Sequence, residues 1–109
     1  MNLHSLLAKR GEEGSPVSVG LIGAGKFATM FLAQARRTPG MHIMAIAERE
    51  PKRAYDALAA TGWPSAASEA ASFEQARKTG ATYIVDDALA LIGADGIEVV
   101  VDATGDPAA

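Results

Sequence analysis

The sequence predicts an α/β protein whose parallel sheet is covered by helices on both faces. Three observations predict it. Apolar runs at 17–22, 41–47, 82–85 and 97–101 are continuous rather than alternating, the pattern of strands buried on both sides. Helical segments with recognisable starts and stops separate these runs, so the order β-α-β-α-(α)-β-α-β calls for crossover connections. The first run also ends in Gly23-Ala24-Gly25-Lys26-Phe27-Ala28, a glycine turn that passes at once into a helix.

Residues 1–16 read as a polar lead-in closing on Gly14-Ser15-Pro16, with Leu3, Leu6 and Leu7 at helical spacing. Val17–Ile22 is the first strand. From Gly25 a helix is expected, with Phe27, Met30 and Phe31 recurring at i, i+3, i+4. Arg36 and Arg37 complement the dipole at its end, and Thr38-Pro39-Gly40 stops it. Met41–Ala47 is the second strand, running into Glu48-Arg49-Glu50. Pro51 suits the first position of a helix that continues through Tyr55 and Leu58 to Gly62-Trp63-Pro64. The Ala/Ser-rich residues 65–79 read as one further helix, with Ser65 as cap and Gly80 as terminator. Thr82–Val85 is a third strand. Asp86 or Asp87 caps a short helix over Ala88–Ile92 before the turn Gly93-Ala94-Asp95-Gly96. Ile97–Val101 is a fourth buried strand, closing on Asp102-Ala103-Thr104-Gly105.

Composition narrows the function classes. At 109 residues the chain suits one small domain, and 49% hydrophobic with 21% charged residues is the balance of a globular protein. A net charge of −3 gives no footprint for nucleic acid or for an anionic membrane surface. No apolar stretch is long enough to span a bilayer, and the N-terminus lacks the basic and long apolar regions of a signal peptide. The absence of cysteine fits a reducing, cytoplasmic compartment and leaves no thiolate for zinc or for nucleophilic attack. With only His4 and His42, no histidine metal site is expected.

The chemistry lies in the glycine turn. Gly23-x-Gly25-x-x-Ala28 is G-x-G-x-x-A, placed between a strand and a helix. Gly23 allows the tight turn, Gly25 lets the backbone approach a pyrophosphate, and Ala28 lets helix and strand pack closely. The N–H groups at the helix start, around Lys26 and Phe27, favour the anion. Glu48 ends the second strand twenty residues after Ala28, where a dinucleotide fold needs a carboxylate for the adenosine ribose. The fold class expected is therefore a Rossmann-type doubly wound sheet, truncated to about four strands in the order 3-2-1-4.

Arg49 leaves the cofactor open. With Lys52 and Arg53 one turn on, it can hold a 2′-phosphate, although those two suit a solvated helix face equally well. Glu48 argues for NAD and the basic trio for NADP, and the balance leans to NADP. Ala103-Thr104-Gly105 follows the fourth strand, where small residues can approach the nicotinamide half and Thr104 can donate to phosphate or ribose. Gly20 to Lys26 also matches the opening of a P-loop. Phe27 stands where that motif needs Ser or Thr, and Gly20 falls inside the strand. His42, Trp63, Asp86 and Asp87 read as surface, packing and capping residues, and no residue is assigned a catalytic role.

The segments 19–27, Thr38-Pro39-Gly40, 86–91 and 100–107, with the start Met1 to Leu7, together resemble the homoserine-dehydrogenase-like oxidoreductases. The similarity is greatest to the branch with a C-terminal SAF domain, which includes enzymes resembling deoxyxylulose-phosphate reductoisomerase. The resemblance spans essentially the whole chain. It implies an NAD(P)-dependent reductase, NADPH-using, whose substrate-binding and catalytic residues lie downstream of these. Two departures stand out: Ala28 at the third glycine position, and Glu48 where related sequences often carry Asp. The expectation is thus a lead-in at 1–16 and, at 17–109, the N-terminal part of an NAD(P)-binding domain. Its exposed sheet edge would be covered by the rest of a parent protein or by another chain. The alternatives are a stand-alone nucleotide-binding or sensing module and a structural remnant packed on a partner.

Overall fold

The computed structural model describes residues 16–104 continuously, together with Ser5, Lys9, Arg10, Glu12 and Gly14. The expectations placed on Leu3, Leu6, Leu7 and Gly105 lie outside the described residues. β1 (Val17–Ile22), β2 (Met41–Ala47), β3 (Tyr83–Val85) and β4 (Val99–Asp102) form one all-parallel sheet in the order β3-β2-β1-β4. The predicted fold class and strand order are both observed: a Rossmann-like α/β arrangement.

Helices α1 (Lys26–Ala35) and α2 (Pro51–Ala60) cover one face. Their core joins Val19, Leu21, Ile43 and Ile46 of the sheet to Ala28, Leu32, Ala54 and Leu58 of the helices. Helices α3 (Phe73–Thr79) and α4 (Ala88–Ile92) cover the other face, over Met44, Ala45 and Ala47. β2 serves both faces, and a bulge shifts its alternation. Val19 pairs with Ile43 but Gly20 pairs with Ala45, so Met44 is an extra residue that resets the alternation. Because helices cover both faces of the sheet, β2 reads as an unbroken apolar run.

The face of α1 differs from the expected one. Ala28, Leu32 and Ala35 are its buried residues, whereas Phe27 is 57% and Met30 63% exposed. A helix that approaches a strand closely seats small residues at the contact, so Ala28 takes the place expected of the larger periodic residues. Trp63 packs on this core and donates its Nε1–H to the Leu32 carbonyl at 3.2 Å, the packing role expected of it.

The single helix expected over 65–79 is instead a 3-10 turn at Ser65–Ser68 followed by α3. Ser72, not Ser65, is the cap. Its hydroxyl accepts from the Gln75 N–H at 3.0 Å while the Gln75 side chain accepts from the Ala71 N–H, a reciprocal pair that begins a new helix. Gly80 ends α3 in the left-handed conformation, as expected. Asp87 caps α4 by accepting from the Leu89 N–H at 2.9 Å.

β4 starts two residues later than expected and is not buried: Val99 is 46% and Val100 42% exposed. Among the described residues its one strand neighbour is β1, so it forms the sheet edge there. At the start of this edge Arg10 donates from both terminal guanidinium nitrogens to the Glu98 carboxylate, at 2.8 and 3.1 Å. These hydrogen bonds hold the Glu98 carboxyl below its ordinary range, with burial opposing them and the Ser18 N–H assisting. Because the folded-state value lies below the unfolded one, the contribution is complete above the ordinary glutamate range. It is lost as pH falls through the lowered value. For so exposed a pair it is worth no more than about 1 kcal/mol after solvent screening. A carboxyl NMR titration should find Glu98 titrating low and Arg10→Ala returning it upward; an unmoved midpoint would remove the ion pair from the account.

Candidate functional site

The carboxyl ends of β1, β2 and β4 meet at one cleft, of about 710 Å³, bordered by Gly23, Ala24, Gly25, Lys26, Phe27, Met30, Glu48, Arg53, Ala103 and Thr104. Its floor is the turn from β1 into α1. Gly23 has φ +101°, which side-chain-bearing residues rarely adopt, and its N–H donates to the Ala47 carbonyl at 2.8 Å. A Cβ on Gly23 would lie 3.2 Å from Thr104 Cγ2 and 3.3 Å from the Ala103 carbonyl group, so the β1 and β4 turns touch here. Gly25 differs. Its backbone is ordinary, with φ −78°, and a Cβ there would meet nothing within 4 Å. The space above Gly25 belongs to the cleft.

Gly25 caps α1 without a side-chain hydrogen bond, and no acidic residue sits in the first turn. The first bond inside the helix runs from the Thr29 N–H to the Gly25 carbonyl at 2.9 Å. The N–H groups of Lys26, Phe27 and Ala28 therefore precede the helical ladder. With the positive end of the helix dipole and the Lys26 ammonium, they make this corner of the cleft suited to an anion. Ala28 does not border the cleft. It is fully buried behind it, in the contact between α1 and the sheet.

Glu48 follows β2 and is only 9% exposed. Its N–H donates to the Val85 carbonyl at 2.8 Å, and its Oε1 accepts from the Glu50 N–H at 3.1 Å. The backbone thus fixes the carboxylate at the rim of the cleft. Arg49 is exposed and borders a neighbouring hollow of about 140 Å³ with Glu48, Asp86 and Thr104, rather than the main cleft. Of the three basic residues after Glu48, Arg53 is the one that borders the cleft itself.

On the β4 side, Ala103 donates its N–H to the Ile22 carbonyl at 2.9 Å, which continues the pairing with β1 past the strand. Thr104 is engaged twice with Asp102. Its N–H lies 3.0 Å from Asp102 Oδ1, and its hydroxyl donates to the same oxygen. These two bonds, the hydroxyl's first, hold the Asp102 carboxyl below its usual range. The Thr104 hydroxyl proton is thereby directed to Asp102 within the turn.

The cleft thus gathers Gly23, Gly25, Lys26, Phe27, Glu48, Ala103 and Thr104, places Arg49 beside it and Ala28 behind it. Sequence reasoning passed over Met30, whose only signal is its place one turn after Phe27, and the bond between Asp102 and Thr104. Gly20 sits within β1, where a Cβ would lie 2.6 Å from Leu91 Cδ2. It is a packing glycine under α4, so the P-loop reading has no loop to stand on.

Fold and site together define a Rossmann-like α/β sheet with a glycine turn and an anion-suited cleft at its carboxyl edge. Neither protein-family models nor curated proteins match the chain. Among the described residues, no group of three or more His, Cys, Asp or Glu could hold a metal ion, and no helix is long and apolar enough to cross a membrane.

Proposed function

We propose that this chain is the dinucleotide-binding portion of an NAD(P)-dependent oxidoreductase, with NADP favoured over NAD. The observation that carries the reading is the open space above Gly25. A close-approach glycine lies at the start of a ten-residue helix, with Glu48 at the rim on one side and the Ala103-Thr104 turn on the other. A pyrophosphate fits over Gly25 and the first N–H groups of α1. The adenosine ribose then falls towards Glu48 and the nicotinamide half towards β4. Arg53 in the cleft and Arg49 beside it supply positive charge at the ribose end, which supports NADP. The bound nicotinamide would supply hydride transfer, and the residues named here bind and orient it. The resemblance to homoserine-dehydrogenase-like enzymes supports the same class, and the lack of cysteine supports a cytoplasmic setting.

Calorimetry with NADPH, NADH and ATP–Mg²⁺ tests the proposal. NADPH should bind in the micromolar range and more tightly than NADH, and ATP–Mg²⁺ should not compete at similar concentrations. Glu48→Ala should weaken NADH binding about tenfold, the loss of one charge-assisted hydrogen bond, while Arg49→Ala or Arg53→Ala weakens NADPH binding by a similar factor. A folded sample that binds neither dinucleotide would exclude this function.

A further inference from the structure

We propose that Asp102 is a positioning residue that turns Thr104 into a hydrogen-bond acceptor, so that the β4 side of the cleft takes an uncharged donor group and not a phosphate. The inference rests on the dinucleotide reading, since it says which part of such a ligand lies at β4. A threonine hydroxyl has one proton and two lone pairs. Here the proton goes to Asp102 Oδ1, the acceptor that also takes the Thr104 N–H. Both donors of Thr104 are used within the turn, and what the hydroxyl presents to the cleft is its lone pairs. The Asp102 carboxylate adds negative charge beside that hydroxyl. Thr104 itself offers a phosphate oxygen no donor. A ribose hydroxyl or a carboxamide N–H finds an acceptor. This orders the ligand along the cleft, with its anionic centre over Gly25 and α1 and its neutral, hydrogen-bond-donating end at Thr104.

Thr104→Val, Thr104→Ser, Asp102→Ala and Asp102→Asn, titrated calorimetrically with NADPH, NADH and ADP, test it. ADP lacks the half assigned to β4. Thr104→Val should weaken the tighter-bound dinucleotide about tenfold and leave ADP unchanged, the size expected for one hydrogen bond. Asp102→Ala should do the same. Thr104→Ser and Asp102→Asn, which keep the hydroxyl and its acceptor, should stay within about threefold of the parent. Asp102→Ala combined with Thr104→Val should lose no more than either alone, because both remove one interaction. In Thr104→Val the Asp102 carboxyl should also titrate higher by NMR, a readout independent of ligand. Equal losses for ADP and dinucleotide, or Asp102→Asn as weak as Asp102→Ala, would overturn the inference while leaving the dinucleotide reading in place. Binding of neither ADP nor dinucleotide by the parent protein would overturn both.

Discussion

Gly25→Ala is expected to fold as the parent does and to bind NADPH at least about a hundredfold more weakly, a loss of about 2.7 kcal/mol. The two halves of that expectation have separate causes. A Cβ at Gly25 meets nothing within 4 Å and the backbone there is in an ordinary region, so the free protein tolerates it. Alanine is a poorer helix cap than glycine, which limits the stability cost to about 1 kcal/mol. The methyl group would stand in the space over the first turn of α1, where a pyrophosphate must approach the N–H groups. Gly23→Ala should behave in the opposite way. Its φ of +101° and the contacts of 3.2 and 3.3 Å with Thr104 and Ala103 put the cost into folding, about 2–3 kcal/mol. Denaturant unfolding with calorimetry on the two variants distinguishes the roles. Undiminished NADPH binding by Gly25→Ala would mean that no ligand lies over the turn.

The contrast between these glycines also marks how far sequence reasoning reaches. The strand order and the bounds of β1 and β2 were legible because continuous apolar runs, a glycine turn and Pro51 all point to one arrangement, each by its own mechanism. Which side of a helix faces the sheet was less legible. Periodicity ranks residues by hydrophobicity, whereas the gap between α1 and β1 selects by size, so Ala28 is buried and Phe27 and Met30 border the cleft. The break between Ser68 and Phe73 was hidden because alanines suit a helix throughout, and the reciprocal Ser72 and Gln75 bonds override that preference. Gly23, Gly25 and Glu48 were legible as site residues through motif and spacing. The commitment of the Thr104 hydroxyl was not. Asp102 and Thr104 are two residues apart in an irregular turn, and nothing in a sequence states where a hydroxyl proton goes.

Leu91→Ala should be among the most destabilising single truncations in the chain, at about 2–5 kcal/mol. α4 has five residues, and Leu91 is its one buried side chain; Leu89 and Ile92 are 76% and 55% exposed. That helix carries the chain from β3 at one edge of the sheet to β4 at the other, so loosening it loosens the β4 turn that closes the cleft. The Leu91 side chain has room because β1 has no Cβ at Gly20, where one would lie 2.6 Å from Leu91 Cδ2. Gly20→Ala alone should then cost about 1–3 kcal/mol by crowding a flexible leucine end. In the Leu91→Ala background the crowded atom is gone and the added methyl fills part of the cavity. The double variant should be more stable than the sum of the single changes predicts, by about 1 kcal/mol or more, as expected for two side chains in contact. Denaturant melts of the four proteins measure the coupling. Strict additivity would show that Gly20 does not make room for Leu91, and that α4 owes its close seat on β1 to something else.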